Sequence, residues 1–289
     1  MSYKNKQDFV VKSLPAPWAK VRKTELSKIT GVCLDIDDTL STQGKLTAPA
    51  FSALWKLKEA GFAVVPVTGR PAGWCDHIVR FWPVDAVVGE NGAFTFFSEA
   101  GVRKRVETPC GGKSLPALSP GALKQKLGEL KQKILKEFPH AKWASDQAYR
   151  ENDLAIDICE DVDPWSSEKI QALLRLCEQQ GAHAKLSSIH VNTWFGEYDK
   201  RKGFEYWLSL GGPGLPKKSQ KNLLLQNWLY IGDSPNDEPM FAAFPHSVGV
   251  ANLNRYLDRL QIYPTWITSK ESGEGFAQMA KKLVEFTAL

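Results

Sequence analysis

The chain has 289 residues with 37 basic and 32 acidic side chains, which give a formal net charge of +5. Its hydrophobic fraction of 43% and charged fraction of 24% are near the globular average, which excludes collagen-like, coiled-coil and wholly disordered chains. At about 150 residues per domain, the length predicts two domains or one domain with a large insertion. The modest charge suits anionic small molecules as well as nucleic acid, so it selects neither class of ligand.

Apolar runs and cysteines indicate the compartment. No apolar run approaches the roughly 18 residues of a membrane span, and residues 1–18 lack the apolar segment of a secretory signal. The five cysteines form no CxxC pair, and an odd number without framework spacing is typical of reduced thiols in a cytosol. We therefore expect a cytoplasmic protein with no membrane partner, and the sequence leaves the oligomeric state open.

Residues 1–28 are polar and rich in lysine, and the run Leu14-Pro15-Ala16-Pro17 breaks any helix there. This composition predicts a solvated N-terminal extension. The alternative is an arm that binds nucleic acid, but no cluster of arginines or aromatic residues accompanies the lysines, which disfavours that partner.

Residues 29–89 alternate between short apolar runs and amphipathic segments. Pro49 suits the first turn of a helix and Gly61 the position just past its end. The alternation predicts parallel β-α-β units with right-handed crossovers. Strands are predicted at 29–35, 62–68 and 85–89, and helices at 49–60 and 72–82.

After Gly89 the pattern changes to an α+β block, and from residue 200 the α/β alternation resumes. The block contains a hairpin at 94–97 and 102–106, a loop at 108–121, helices at 120–137 and 166–180, a strand at 154–159 and two strands within 182–194. The last part contains helices at 200–210, 237–243 and 274–287, a loop at 211–221, and strands at 229–233 and 248–250. The sequence therefore predicts an α/β fold with a parallel sheet core that is interrupted by an inserted α+β domain.

Two predicted strands end in carboxylates, at Asp35-Ile36-Asp37-Asp38-Thr39 and at Gly232-Asp233-Ser234-Pro235-Asn236-Asp237. The carboxyl ends of parallel strands form the ligand crevice of such a sheet. Acids that converge there repel one another, and a hard cation relieves the repulsion. Ligands that are all oxygen favour Mg²⁺.

A third strand end supplies groups for an anion. Thr68-Gly69-Arg70 offers a hydroxyl and the backbone N–H groups of a turn that enters a helix. Lys200 is a candidate ammonium group for the same anion, and Lys202 is the competing candidate. An acidic metal site, a hydroxyl, an amide turn and a lysine together indicate phosphoryl transfer.

These segments resemble, in order, the four motifs of the haloacid dehalogenase (HAD) phosphohydrolases. Residues 35–39 match DxDxT, Thr68 matches the lone hydroxyl motif, Lys200 the basic motif, and residues 232–237 GDxxND. Residues 88–93 resemble the (S/E)NGA segment that opens the cap of subclass IIB. The resemblance implies a Rossmann-like core at 29–90 and 195–289 with an α/β cap at 91–194, which leaves residues 1–28 as the extension.

The resemblance also implies a role for each residue. Asp35 would attack phosphorus, and Asp37 would protonate the leaving group and then activate water. Thr68 and the Gly69 amide would bind the transferring oxygens, and Lys200 would neutralise them. Mg²⁺ would be held by Asp35, Asp37 through its backbone carbonyl, and Asp233, with Asp237 as a further ligand or as a partner of the metal's waters.

Several other residues are candidates for contact with substrate, each with a structural alternative. The structural alternative for Arg70 is an ion pair with a nearby acid, and the alternative for Asn91 and Gly92 is a turn without contact to substrate. Asn236 shapes a turn or orients Lys200. Within the cap, the alternatives are a solvated face for Arg150, Glu151 and Asp153, and core packing for His190, Asn192 and Trp194.

The first hypothesis is a Mg²⁺-dependent phosphatase that acts on a small phosphorylated metabolite, such as a sugar phosphate. The cap motivates the limit on substrate size, because a lid that closes over a site excludes water and favours small substrates. The alternatives are a phosphomutase of the phosphomannomutase type, and a non-enzymatic module that binds nucleic acid through its basic N-terminus.

Overall fold

The computed structural model describes residues 14–109 and 119–287. Part of the predicted loop at 108–121 and residues 1–13 lie outside the described residues. The strands are β1 (Ala16–Pro17), β2 (Gly31–Leu34), β3 (Ala63–Pro66), β4 (Ala86–Gly89), β5 (Phe94–Glu99), β6 (Val102–Glu107), β7 (Lys142–Trp143), β8 (Asp153–Asp157), β9 (His183–Leu186), β10 (His190–Trp194), β11 (Trp228–Gly232), β12 (His246–Gly249) and β13 (Trp266–Ile267). The helices are α1 (Lys23–Leu26), α2 (Ala48–Glu59), α3 (Ala72–Phe81), α4 (Pro120–Glu137), α5 (Ser167–Gln179), α6 (Lys200–Ser209), α7 (Glu238–Ala243) and α8 (Ser272–Thr287).

The core is a parallel sheet with the strand order β1-β13-β12-β11-β2-β3. Strands β11, β2 and β3 are fully buried and mainly apolar, as expected of strands covered on both faces. Strands β11, β2 and β3 are neighbours, so the segments that follow them meet at one edge of the sheet. The predicted Rossmann-like core is confirmed.

The hairpin β5–β6 pairs with β4 in an antiparallel sheet, and a single bridge between Val67 and Val88 links β4 to the end of β3. The hairpin therefore lies against the core. A separate four-stranded sheet, with the order β7-β8-β10-β9, forms the cap together with α4 and α5. The boundaries at 29, 91 and 195 stay predictions.

The two faces of the cap sheet differ because side chains alternate along each strand. Leu154, Ile156 and Val191 point towards α4 and α5 and form an apolar cluster. The opposite face carries polar residues such as Asp153 and Asn192, which lie on the side of the active-site cavity described below. This alternation explains why a buried sheet carries acids and amides.

The N-terminal segment corrects one expectation. Trp18 is only 1% exposed, and it packs edge-on against Trp266, with 5.6 Å between the ring centroids. Val21 and Leu26 join the same cluster, and β1 adds an edge strand beside β13. Residues 14–28 are therefore not solvated throughout as predicted, because Trp18, Val21 and Leu26, which are widely spaced among lysines in the sequence, are buried. No helix in the described parts of the chain is long and apolar enough to cross a membrane.

Candidate active site

Three carboxylates converge at the carboxyl edge of the core sheet. Asp35 follows β2, Asp233 follows the adjacent strand β11, and Asp237 lies in the short 3-10 turn that comes next. All three are buried, and one oxygen of each lies within 4.8 Å of the others. Because β2 and β11 are neighbours, residues almost 200 positions apart in sequence share one site.

Lys200 bridges two of these acids. Its Nζ lies 2.6 Å from Asp35 Oδ1 and 2.6 Å from Asp237 Oδ1. Asp199 caps α6 by accepting a hydrogen bond of 2.8 Å from the Lys202 backbone N–H, which fixes the first turn of the helix. The side chain of Lys202 is half exposed and lies 3.7 Å from Glu197, so the competing candidate is outside the site.

The carboxylate of Asp237 accepts hydrogen bonds at both oxygens. Oδ1 accepts from Lys200 and, at 2.6 Å, from the Tyr230 hydroxyl, while Oδ2 accepts from the backbone N–H groups of Asp233 and Ser234 at 3.0 and 3.2 Å. A carboxylate offers about four lone-pair sites. Asp237 is thus committed to positioning Lys200, and Asp35 and Asp233 have the more available oxygens.

The buried charges do not balance within the protein. Burial raises the pKa of Asp35 to about 8, although Lys200 opposes the shift. Burial and the neighbouring Asp35 raise the pKa of Asp233 well above its ordinary value. Asp237 and Asp35 raise the pKa of Lys200 although burial opposes its charge. With all three acids ionised beside one ammonium, the site would carry an excess of negative charge that a divalent cation would neutralise, and the all-oxygen donor set fits Mg²⁺.

A small cradle lies next to the acids, at the end of β3. The Thr68 hydroxyl accepts a hydrogen bond from the Arg70 N–H at 3.0 Å, and the Thr68 carbonyl accepts one from the Asn91 N–H at 3.0 Å. A Cβ at Gly69 would lie 3.2 Å from Asn91 Oδ1 and 3.3 Å from its Nδ2, so this position favours glycine. Within the described residues, the buried Asn91 Nδ2 has no hydrogen-bond partner. An unpaired buried donor is costly, and it indicates that the cradle receives an acceptor.

Arg70 joins the core to the cap. Its Nε and Nη2 donate to Asp37 at 2.9 and 2.8 Å, its Nη1 donates to Asp146 at 3.2 Å, and its Nη2 also donates to Glu160 at 3.1 Å. The guanidinium stacks on Trp74, 4.4 Å from the ring centroid. Arg70 thus holds Asp37 on one side and two cap carboxylates on the other.

These groups surround a narrow cavity of about 320 Å³, including its mouth. The core contributes Asp35, Asp37, Gly69, Arg70, Ser234 and Asn236. The cap contributes Arg150, Ser187, Ser188, Ile189, His190 and Asn192. The acids proposed to attack and to transfer a proton therefore face the same enclosed space.

Residues 32–106 match the sequence model of the haloacid dehalogenase-like hydrolase family. This stretch contains the first two motifs, and the structure brings the other two to the same sheet edge. Similarity to this family in sequence is thus shown for residues 32–106, and the solved structures described next share the fold of the chain. Its cap sheet lies in sequence between Thr68 and Lys200, which is where the resemblance to subclass IIB places the cap.

Solved structures of low sequence identity share the HAD fold over nearly their whole length. A protein from Thermoplasma acidophilum is 18% identical with a TM-score of 0.64, over 89% of this chain and 99% of its own. A haloacid dehalogenase-like hydrolase from Bacteroides thetaiotaomicron is 15% identical with a TM-score of 0.59, over 88% and 99%. The sucrose-phosphatase from Synechocystis, solved with sucrose and phosphate, is 16% identical with a TM-score of 0.58, over 88% and 98%. No curated protein sequence matches the chain.

The remaining candidates from the sequence fall into two groups. Arg150 and Asn236 line the cavity, as do His190 and Asn192 from the cap. Gly92 is not among the lining residues. It packs instead against the start of α6, where an added Cβ would collide with the Asp199 carbonyl. Trp194 packs in the core cluster and stacks on Tyr198, as its alternative interpretation states.

Several contacts around the site were not predicted from the sequence. Asp146 and Glu160 carry no motif, and their role depends on how the cap docks onto the core. Tyr230 offers a weak signal, since a hydroxyl inside a buried apolar strand needs a partner. Glu90 lies in the ENGA segment, and its carboxylate accepts backbone hydrogen bonds from Ala72 at 3.0 Å in the core and from Glu151 at 3.0 Å in the cap.

Proposed function

We propose that this HAD hydrolase is a Mg²⁺-dependent phosphatase that cleaves a small phosphate monoester through an aspartyl-phosphate. The observation that carries the proposal is Lys200, which bridges Asp35 and Asp237 beside a third buried acid and the cradle at Gly69. Structural neighbours include the sucrose-phosphatase and a trehalose-6-phosphate phosphatase related protein, which support a sugar phosphate as the substrate class.

The phosphoryl group would enter between Asp35 and the cradle. Asp35 would attack phosphorus and form the covalent intermediate. The Gly69 N–H and the unpaired amide of Asn91 would donate hydrogen bonds to the transferring oxygens, and Lys200 would balance their charge. Lys200 would also keep the Asp35 carboxylate in place before the attack.

Asp37 would serve as the acid and base. It faces the same cavity as Asp35, on the side where the cap closes over the leaving group. It would protonate the departing alkoxide, and in the second step it would remove a proton from the water that hydrolyses the intermediate. Arg70 holds both of its oxygens, so the position of the acid is set before substrate binds.

Mg²⁺ would be held by Asp35, Asp233 and the Asp37 carbonyl. Bound there, it would neutralise the excess acid charge and polarise the phosphoryl oxygens. Thr39 and Asn252 donate to the Asp233 carboxylate at 3.1 and 3.5 Å, which orients it towards the site.

The test is phosphate release from a panel of sugar and polyol phosphates with Mg²⁺, for the wild type and Asp35→Asn. We expect Asp35→Asn to lose activity at least about 10³-fold, because no nucleophile remains. Asp35→Asn that hydrolyses esters at the wild-type rate refutes the assignment. Intact-protein mass spectrometry of Asp37→Asn, quenched during turnover, should show a phosphorylated protein that Asp35→Asn never shows.

A further inference from the structure

We infer that the cap side of the cavity selects esters with an uncharged, hydroxyl-bearing leaving group and excludes leaving groups that carry a second anion. The inference rests on the proposed function and narrows its substrate. It comes from the charges that surround the leaving-group side of the cavity and from the groups that those charges already bind.

Carboxylates outnumber guanidinium groups around this part of the cavity. Two arginines, Arg70 and Arg150, meet four acids, which are Asp37, Asp146, Asp153 and Glu160. A hydrogen bond from His190, together with the charge of Arg70, lowers the pKa of Glu160 to about 2, so this acid stays ionised. Even if His190, which lies 2.9 Å from Glu160, is protonated, three positive groups face these four carboxylates. A second anion on the substrate would therefore enter a region with excess negative charge.

Both guanidinium groups also already have carboxylate partners within the protein. Arg70 donates from Nε, Nη1 and Nη2 to three different acids. Arg150 donates from Nε to Asp146 at 2.9 Å, and from Nη1 to Asp153 at 3.0 Å and to the Gly69 carbonyl at 2.8 Å. An incoming phosphate or carboxylate would have to displace a buried carboxylate from its partner, and breaking a buried pair is strongly unfavourable.

The other cap groups in the cavity include hydroxyl and amide groups that suit hydroxyls. Ser188 lies in the turn at 187–189 and Asn192 lies on β10. The Ser187 hydroxyl is already bonded to the backbone of Ile189 and His190, and His190 Nε2 is already bonded to Glu160. The Asn192 amide donates to Asp153 at 3.0 Å, which leaves its oxygen as an acceptor beside Gly69. A few placed polar groups of this kind orient a polyol without requiring charge.

The same arrangement separates the phosphatase from the phosphomutase alternative. A mutase that uses a bisphosphate must accept a second phosphate at the position of the leaving group. The matched guanidinium groups offer that phosphate no free cation, so the cavity favours hydrolysis of monophosphates.

The experiment compares pairs of phosphate esters in which one member carries an additional anionic group. Sorbitol phosphate and phosphogluconate, both phosphorylated on the terminal carbon, differ by a hydroxymethyl group against a carboxylate. Fructose monophosphate and bisphosphate form a second pair. For the wild type, we expect kcat/KM of the ester without the additional anion to be at least about tenfold higher than kcat/KM of its partner, since like charges placed together oppose binding strongly. The ratio of these two kcat/KM values measures the selectivity, and a ratio of one or below overturns the inference.

Variants attribute the selectivity to the cap. Glu160→Gln keeps the shape and removes one negative charge, so its ratio should fall several-fold towards one, whatever happens to overall activity. Glu178→Gln, an exposed acid on α5, should keep the wild-type ratio. An unchanged ratio in Glu160→Gln, or an equal fall in Glu178→Gln, contradicts the assignment.

The failure of the inference is distinguishable from failure of the proposed function. Hydrolysis of p-nitrophenyl phosphate that depends on Asp35, without hydrolysis of either neutral ester, overturns the selectivity and leaves the phosphatase standing. No Asp35-dependent hydrolysis of any ester removes both.

Discussion

Gly203→Ala tests whether the close packing of α6 against the core sets the position of Lys200. Gly203 lies one turn after Lys200 and faces Gly92. A Cβ at Gly203 would lie 2.5 Å from the Gly92 Cα and 2.6 Å from its carbonyl oxygen, whereas ordinary contact begins at 3.4 Å. Both atoms belong to the backbone, so neither can rotate away. The first turn of α6 must therefore move by about 1 Å.

A displacement of this size reaches the active site directly. Lys200 makes two contacts of 2.6 Å, and a shift of about 1 Å would break or lengthen both. Misplacing a positioned group by about 1 Å can cost roughly 10²-fold in rate, and overpacking a buried site costs about 1–3 kcal/mol of stability. We expect Gly203→Ala to lower kcat by about 10–100-fold and the free energy of unfolding by about 1–3 kcal/mol.

Gly128→Ala is the matched control. Gly128 lies in the exposed part of α4, and nothing lies within 4 Å of an added Cβ. Its replacement should raise the free energy of unfolding by about 0.5–1 kcal/mol, because alanine is the better helix former, and it should leave kcat unchanged. The assays are urea unfolding and phosphate release. Gly203→Ala with wild-type kcat and stability would refute the packing argument.

Three further predictions concern the metal, a buried hydroxyl and pH. Mg²⁺ at 100 times its Kd should raise the stability by about 2.7 kcal/mol, and Asp233→Asn should reduce the resulting rise in Tm. Tyr230→Phe removes the 2.6 Å hydrogen bond to Asp237 and should cost about 1–3 kcal/mol in urea unfolding, whereas Tyr149→Phe, 60% exposed, should cost nothing measurable. Burial raises the pKa of Glu90 to about 7 from 4.5, so the folded state binds a proton that the unfolded chain releases, and stability should fall by up to about 3 kcal/mol as the pH rises from 4.5 through 7. Glu90→Gln should flatten that slope.

Each of these has a contradicting result. A wild-type Tm that does not respond to Mg²⁺ removes the cation site. Tyr230→Phe as stable as Tyr149→Phe shows that the hydroxyl contributes nothing to the buried acid. An identical pH dependence in Glu90→Gln and the wild type shows that another group causes the slope.

Local signals made the core predictable. An apolar run that ends in an acid indicates a parallel strand whose carboxyl end lies at the ligand crevice. Asp35 and Asp233 could therefore be predicted to lie at this edge of the sheet from the sequence alone. The helix at 120–137 has the predicted bounds because Ser119 caps it, Pro120 opens it and a leucine stripe faces the cap sheet. The burial of Trp18 was not predicted because it depends on Trp266, far away in sequence.

The contacts around Asp37 could not be predicted for a related reason. Arg70 meets Asp146 and Glu160 across 76 and 90 residues of sequence, and neither acid belongs to a motif. Which cap side chain reaches the core depends on the register of the cap strands and on how the two sheets face each other. One sequence does not encode that orientation in any local pattern.

The network at Arg70 also links closure of the cap to the position of the acid. Arg70 keeps Asp37 within the core, while its bonds to Asp146 and Glu160 exist only when the cap lies against the core. In the proposed function, the cap must open to release the products, and opening would break the two bonds to the cap and leave the Asp37 pair intact. Closing would then immobilise the guanidinium, and through it Asp37, at the moment when the leaving group is enclosed. The charges that reject a second anion are thus the same ones that fix the acid, which ties the choice of substrate to the geometry of proton transfer.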